Sequence, residues 1–275
     1  MFASRPSLIA ADADPPPGCP LLPPEPAVDV SSLLLVAVGL GVAGLIKGVT
    51  GMGLPLIGVT LLATFFSVPH AIAILVVPTL VTNIWQLWSY RHSWQRGQMP
   101  FLVPMLIFGA AGICVGTWLL VQIDEQLLKL GLAAMLLAYV TLRLTSPNFR
   151  IGERVGRIFS APVGFAAGVI AGATGVSAPI GVTFIHAMRF ERAAHVFAVS
   201  ALFTMFVLAQ TPALMVAGVL TPERWIESAF ALLPVAIAMP LGNWIGDRVN
   251  HTTFDRVIMV LLFGTALRLI SDAIW

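Results

Sequence analysis

Apolar runs recur along the chain at 33–46, 71–88, 101–121, 127–142, 193–220, 228–246 and 257–271, with polar residues gathered in the short stretches between them. A helix needs roughly 20 residues to cross a hydrocarbon core of about 30 Å, and most of these runs are of that order. Period-2 alternation is absent, which argues against an outer-membrane barrel. The pattern predicts membrane-spanning helices. In order, these are a first segment from Val30 to about Val49 that resumes at Leu54–Phe66, then 70–90, 99–121 and 126–144, and after a polar stretch 158–172, 176–188, 191–219, 224–246 and 253–272.

The two series resemble each other. A shift of 124 residues lays Gly168, Gly172, Thr174, Gly175 and Pro179 on Gly44, Gly48, Thr50, Gly51 and Pro55, so the pattern GxxxGxTGxxxP occurs twice. Gln86 falls on Gln210 with the same shift, and Pro104, Gly112 and Gly116 reappear as Pro234, Gly242 and Gly246 with a shift of 130. This reads as an internal duplication of a unit of about five segments. The chain divides into a proline-rich tail (1–30), a first transmembrane repeat (31–145), a basic cytoplasmic connector (146–157) and a second repeat (158–275). The tail, with DADPPPGCPLLPPEP and no continuous apolar core, is expected to be disordered. An over-extended start codon is preferred there to a lipid-anchored Cys19.

Composition agrees with a membrane protein: 58% of the 275 residues are hydrophobic and 10% charged, and the mean hydropathy is +0.92. The formal charge of +2, spread over short loops, does not suggest a nucleic-acid partner. Cys19 and Cys114 have no metal spacing and no evident reason to meet, so neither a disulfide nor a metal site is expected, and no cofactor. Counting Lys and Arg in loops places Arg91, Arg96, Arg150, Arg154, Arg157, Arg189 and Arg192 on the cytoplasmic side and the loops at 122–126 and 220–224 outside. Both termini then lie outside and the two halves run in opposite directions. The fold class expected is an all-α integral membrane protein of two inverted repeats, whose glycine-broken helices meet near the midplane.

Irregular backbone survives inside a bilayer where protein or a water-filled cavity satisfies it, so the breaks at Gly51–Gly53 and Gly175–Ser177 are candidate sites. New helices start there, and their first N–H groups and positive dipole ends suit an anion, with Thr50, Thr174 and Ser177 adding hydroxyls. The competing reading is that glycines spaced by four serve only close helix packing. All thirteen acids lie in tails, loops or near helix ends, so no carboxylate is expected at mid-membrane for a cation or proton relay. Lys47 lies inside the first break, with Ala171 as its counterpart, and either meets a bound anion or snorkels to the interface. Thr79, Thr82, Asn83 and Gln86 share one face of the third segment, and Gln210 repeats Gln86. These amides either complete the pocket or bond between helices. His186 and His195 are either a pH-sensitive gate or ordinary interfacial residues. No catalytic set, HExxH or Walker loop is present, and an enzyme is not expected.

The paired breaks GLIKGVTGMGLPL and GVIAGATGVSAPI, each followed by a long helix, resemble those of the TauE/SafE (TSUP) family of sulfite exporters, over nearly all the chain after residue 30. The sequence departs from that family's run of consecutive glycines with GMG at 51–53 and GVS at 175–177. The resemblance implies export of sulfite, sulfoacetate or a similar sulfur oxyanion across the bacterial cytoplasmic (inner) membrane. It leaves a homodimer open. The site residues expected are Lys47, Thr50, Gly51, Gly53, Asn83, Gln86, Thr174, Gly175, Ser177 and Gln210. A channel-like anion pore and a non-transport scaffold or assembly protein are the rival readings.

Overall fold

The structure is a computed structural model that describes residues 30–51, 53–93, 99–145, 150–246 and 251–274, with side chains within 36–245 and 258–273. The tail with Cys19, Met52 in the first break, Arg96, residues 146–149 and the side chains of Asp247 and Asp255 lie outside this set.

Every regular element among the described residues is helical. They are α1 (Val30–Thr50), α2 (Leu54–Leu62), α3 (Val68–Ser89), a short turn at Arg91–Ser93, α4 (Leu102–Gln122), α5 (Glu125–Thr145), α6 (Glu153–Thr174), a π-helical turn (Ala178–Val182), α7 (Thr183–Ala187), α8 (Arg192–Val216), α9 (Pro222–Gly246) and α10 (His251–Ile274). Among the described residues, six helices are long and apolar enough to cross a membrane. Large apolar side chains such as Trp85, Trp118, Ile237 and Trp244 are left exposed on the outside of the bundle, the surface that lipid covers in a membrane protein. The polar stretch read as a connector is partly helical, since α6 already starts at Glu153, and Ile151 ties it down by donating to the Ala187 carbonyl.

α1 packs on α9 and α6 packs on α4, each pair running together over most of its length. Small residues make this approach feasible. A Cβ added to Gly48 would lie 2.7 Å from the Asn243 nitrogen and closer still to the Met239 carbonyl. At Gly172 it would lie 2.6 Å from the Ile113 carbonyl and 2.7 Å from the Thr117 nitrogen. Gly44 faces Val235 and Ala238, and Gly168 faces Gly109 and Ile113. Without a hydrophobic drive between helices in lipid, such backbone contact is what holds them together. The GxxxG portion of each repeated pattern is thus a packing surface.

These contacts also set a register. Gly242 packs over Leu45 and Gly48 as Gly116 packs over Val169 and Gly172, which makes Gly116, rather than Gly112, the counterpart of Gly242. The 130-residue shift is one helical turn out. Glycines spaced by four match themselves after a slip of four, so the sequence alone could not separate the two registers.

Of the six long apolar helices among the described residues, α3 is the most enclosed by the rest of the chain, and it crosses α8 and packs on α9. Pro78 lies within it and cannot donate to Ile74, four residues earlier. Ser228 of α9 mends this gap: its fully buried hydroxyl donates to the Ile74 carbonyl at 2.9 Å and accepts from the Val77 N–H at 2.9 Å. Pro78, which would unsettle an isolated helix, is accommodated because a neighbouring helix supplies the partner.

Candidate functional site

At the first interruption α1 ends at Thr50, Gly51 and Gly53 take φ of 74° and 108°, and α2 starts at Leu54 with Pro55 in its first turn and no side-chain cap. At the second, α6 ends at Thr174, Gly175 takes φ 74°, and Ser177 at φ −114° leads into the π-helical turn. Left-handed backbone is where glycine is needed, so Gly51 and Gly175 reverse the chain in the same way. The neighbours also correspond. A Cβ on Gly51 would meet Val196 of α8 at 2.6 Å, and one on Gly175 would meet Val59 at 2.8 Å and Ile72 of α3 at 2.9 Å. Val196 and Ile72 are themselves 124 residues apart.

Lys47 is 0% exposed, so it does not snorkel. Its Nζ donates to Asn83 Oδ1 at 2.7 Å, and Asn83 Nδ2 in turn donates to the Thr79 carbonyl at 2.8 Å. Asn83 therefore presents its oxygen to the ammonium, and its NH2 is used on its own helix. Among the described residues no carboxylate pairs with Lys47. One turn further along α3, Gln86 Oε1 accepts from the buried Ser200 hydroxyl of α8 at 3.0 Å. The face of α3 singled out in the sequence is thus turned inward, with Thr79, Thr82, Asn83 and Gln86 all buried.

The remaining expected residues are divided. Thr50 donates to the Ile46 carbonyl at 2.9 Å and Thr174 to the Ile170 carbonyl at 2.8 Å, which closes the last turn of each helix and aims lone pairs, not protons, at the break. Thr174 also accepts weakly from the Val176 N–H at 3.3 Å. The Ser177 hydroxyl is fully buried and has no hydrogen-bond partner among the described residues. Gln210 donates to the Gly172 carbonyl at 3.3 Å, and with Gly175 and Thr79 it borders a small void of about 30 Å³.

A much larger cavity, of about 460 Å³, was not foreseen. Thr50 and Gly53 of the first break, Ile46, Val49, Leu56 and Ile57 form one wall, and Arg143, Arg189, Arg192, His186 and His195 supply its polar surface. Arg143 Nη1 lies 3.2 Å from His186 Nε2, and the His186 and His195 rings meet edge-to-face at 5.5 Å. In the sequence Arg189 and Arg192 mark only sidedness, and Arg143, near the end of α5, belongs to no motif. Their meeting depends on which helices become neighbours, and no spacing within one segment signals that.

A helical bundle with lipid-type outer surfaces, an enclosed lysine and a solute-sized cavity has the form of a polytopic membrane transport protein. The family model "Sulfite exporter TauE/SafE" matches residues 35–269, and the chain belongs to that family of membrane transporters. No curated protein and no solved structure matches it.

Proposed function

We propose that this protein exports small sulfur-containing oxyanions, such as sulfite or a short organosulfonate, across the bacterial cytoplasmic membrane by alternating access between two inverted halves. The observation that carries the reading is Lys47: a cation with 0% exposure whose hydrogen-bond acceptor is a neutral amide. A charge at bilayer depth costs roughly 2.5–3.5 kcal/mol on insertion scales, and a bound anion offsets it. The uncapped start of α2 adds backbone N–H groups a few residues away. An interior-negative potential favours outward anion movement by about 2.3 kcal/mol per charge per 100 mV, so export requires no coupling carboxylate.

The inverted arrangement is supported by the way packing partners exchange. Replacing each helix by its counterpart turns α1 on α9 into α6 on α4, and α3 on α9 into α8 on α4, while α3 on α8 and α5 on α10 map onto themselves. Charge counting in the loops then puts the arginine cavity on the cytoplasmic side. A continuous pore is disfavoured, because the counterparts of cavity residues His186, Ala187, Arg192 and His195 are Leu62, Ala63, Val68 and Ala71, all buried.

The test is flux of labelled sulfite, with an organosulfonate competitor, in proteoliposomes holding wild type or Lys47→Met. Saturable, competitor-sensitive flux that is lost in the variant is expected. Wild-type flux that survives the substitution would remove Lys47 from the site.

A further inference from the structure

We propose that the cytoplasmic start of α6 is a binding site for anionic phospholipid, in which Arg150, Arg154 and Arg157 hold the headgroup phosphate while Ile158 and Phe159 lie against the acyl chains. The site is independent of the solute that the protein carries.

The local sequence is RIGERVGRIF, residues 150–159. Small residues dock it: Gly156, Ser160 and Gly164 are buried at intervals of four, with Gly156 against Met188 and Gly164 against the Met105 backbone. The Ile151 N–H, bonded to the Ala187 carbonyl, fixes the stretch that leads in. The residues between these anchors face outward. Arg150, Arg154 and Arg157 are exposed, and so are Ile158 at 62% and Phe159 at 52%.

The three arginines differ from the other basic residues. Every other lysine or arginine with a described side chain is engaged within the chain, as Arg91 is with the Trp88 carbonyl and ring. Among the described residues, the side chains of Arg150, Arg154 and Arg157 have no hydrogen bond and no ion pair, not even with Glu153, one turn before Arg157. Their counterparts by the 124-residue shift are Pro26, Val30 and Leu33, so the basic cluster exists in one half only.

Depth supports a headgroup position. α6 runs parallel to α4, because Gly164, Gly168 and Gly172 meet Met105, Gly109 and Ile113 in turn. That register sets Ala161 level with Leu102, the first residue of α4, so Glu153–Ser160 extends about 12 Å beyond it. Arg154 lies one turn outside Ile158, and the long stem of Arg157 lets its guanidinium reach the same level. Cation outside and apolar side chains inside is the order a phospholipid presents. Guanidinium forks donate in pairs to phosphate oxygens, and the negative cytoplasmic leaflet attracts basic groups beside a membrane segment. A soluble polyanion would leave Ile158 and Phe159 uncovered, which favours lipid.

The experiment is equilibrium binding of radiolabelled phosphatidylglycerol to the immobilised full chain in detergent, with radiolabelled phosphatidylcholine in parallel. Wild type should prefer phosphatidylglycerol about tenfold or more at low salt, and the preference should fall to about twofold or less at about 1 M sodium chloride. Arg150→Gln/Arg154→Gln/Arg157→Gln should lose the preference at low salt. The corresponding triple lysine variant should keep part of it, and Arg91→Gln, on the same side of the membrane, should keep it all. Sodium phosphate and sodium chloride at equal ionic strength should displace the lipid equally. No preference in wild type, or a preference that survives the triple glutamine variant, overturns the proposal. Selective displacement by phosphate overturns it too, since the arginines would then serve a free anion.

Discussion

The two halves share one backbone plan and differ in chemistry where it matters. Around the first break stand Lys47, Asn83, Gln86 and Ser200; the same shift of 124 residues puts Ala171, Val207, Gln210 and Val76 around the second. The contrast continues at the ends of the bundle. His186, Arg192 and His195 border an open cavity, while their counterparts Leu62, Val68 and Ala71 are closed into the core. Even the break backbones diverge: Gly53 has φ 108°, and Ser177, its counterpart, has φ −114° followed by a π-helical turn. Serine would be strained at Gly53's angle, so the second half cannot copy the first without cost. On the reading proposed above, the two breaks are equivalent gaps, and the buried lysine lies at the first of them.

Matched substitutions in the two halves test that contrast most directly. Lys47→Met is expected to reduce sulfite flux about a hundredfold or more, in line with the roughly 3–5 kcal/mol seen when a buried charge pair loses a partner. Ala171→Ser, at the equivalent place, should leave flux within about twofold. Equal losses from both would erase the asymmetry. A sharper version moves the pair: Ala171→Lys with Val207→Asn, on a background of Lys47→Ala and Asn83→Val, should recover part of the flux if the halves are equivalent in geometry.

Next in size comes the partner. Asn83→Val leaves the Lys47 ammonium without its acceptor and should lower stability by about 2–3 kcal/mol, read as a drop in Tm in detergent. Adding Lys47→Met should restore most of the Tm while flux stays lost. Were the double variant no more stable than Asn83→Val, the amide would be holding the helices rather than the charge.

The packing glycines should respond alike in both halves. Gly48→Ala and Gly172→Ala each drive a methyl into a facing carbonyl, and each should destabilise by about 1–3 kcal/mol or more, measured by thermal size-exclusion. A mild effect at one and a severe effect at the other would show that the two helix pairs are not packed equivalently. Gly131→Ala is the control, because nothing lies within 4 Å of the added carbon, and stability should change by less than about 1 kcal/mol. Between these falls Ser228→Ala, which strips the hydroxyl that mends the Pro78 gap and should lower stability by about 1–2 kcal/mol.

Hydropathy along the chain was sufficient for the helical class, the number of long apolar helices to within one or two, and the membrane setting, because the length of an apolar run and the thickness of a bilayer are both local quantities. The breaks at Gly51 and Gly175 stand out in the sequence because glycine adopts that backbone easily and follows threonine in both places, whereas the positive φ of Gly218 and of Arg189 has no such signal. Lys47 stood out because a cation in an apolar run is rare, but its partner did not, since Asn83 could equally have bonded along α3 or faced a ligand. The register of Gly116 on Gly242 and the meeting of Arg143 with Arg189 and Arg192 came from the tertiary structure alone. Those features depend on which helices lie side by side, and shape complementarity across the bundle selects the neighbours. A pattern read within one segment cannot carry that choice.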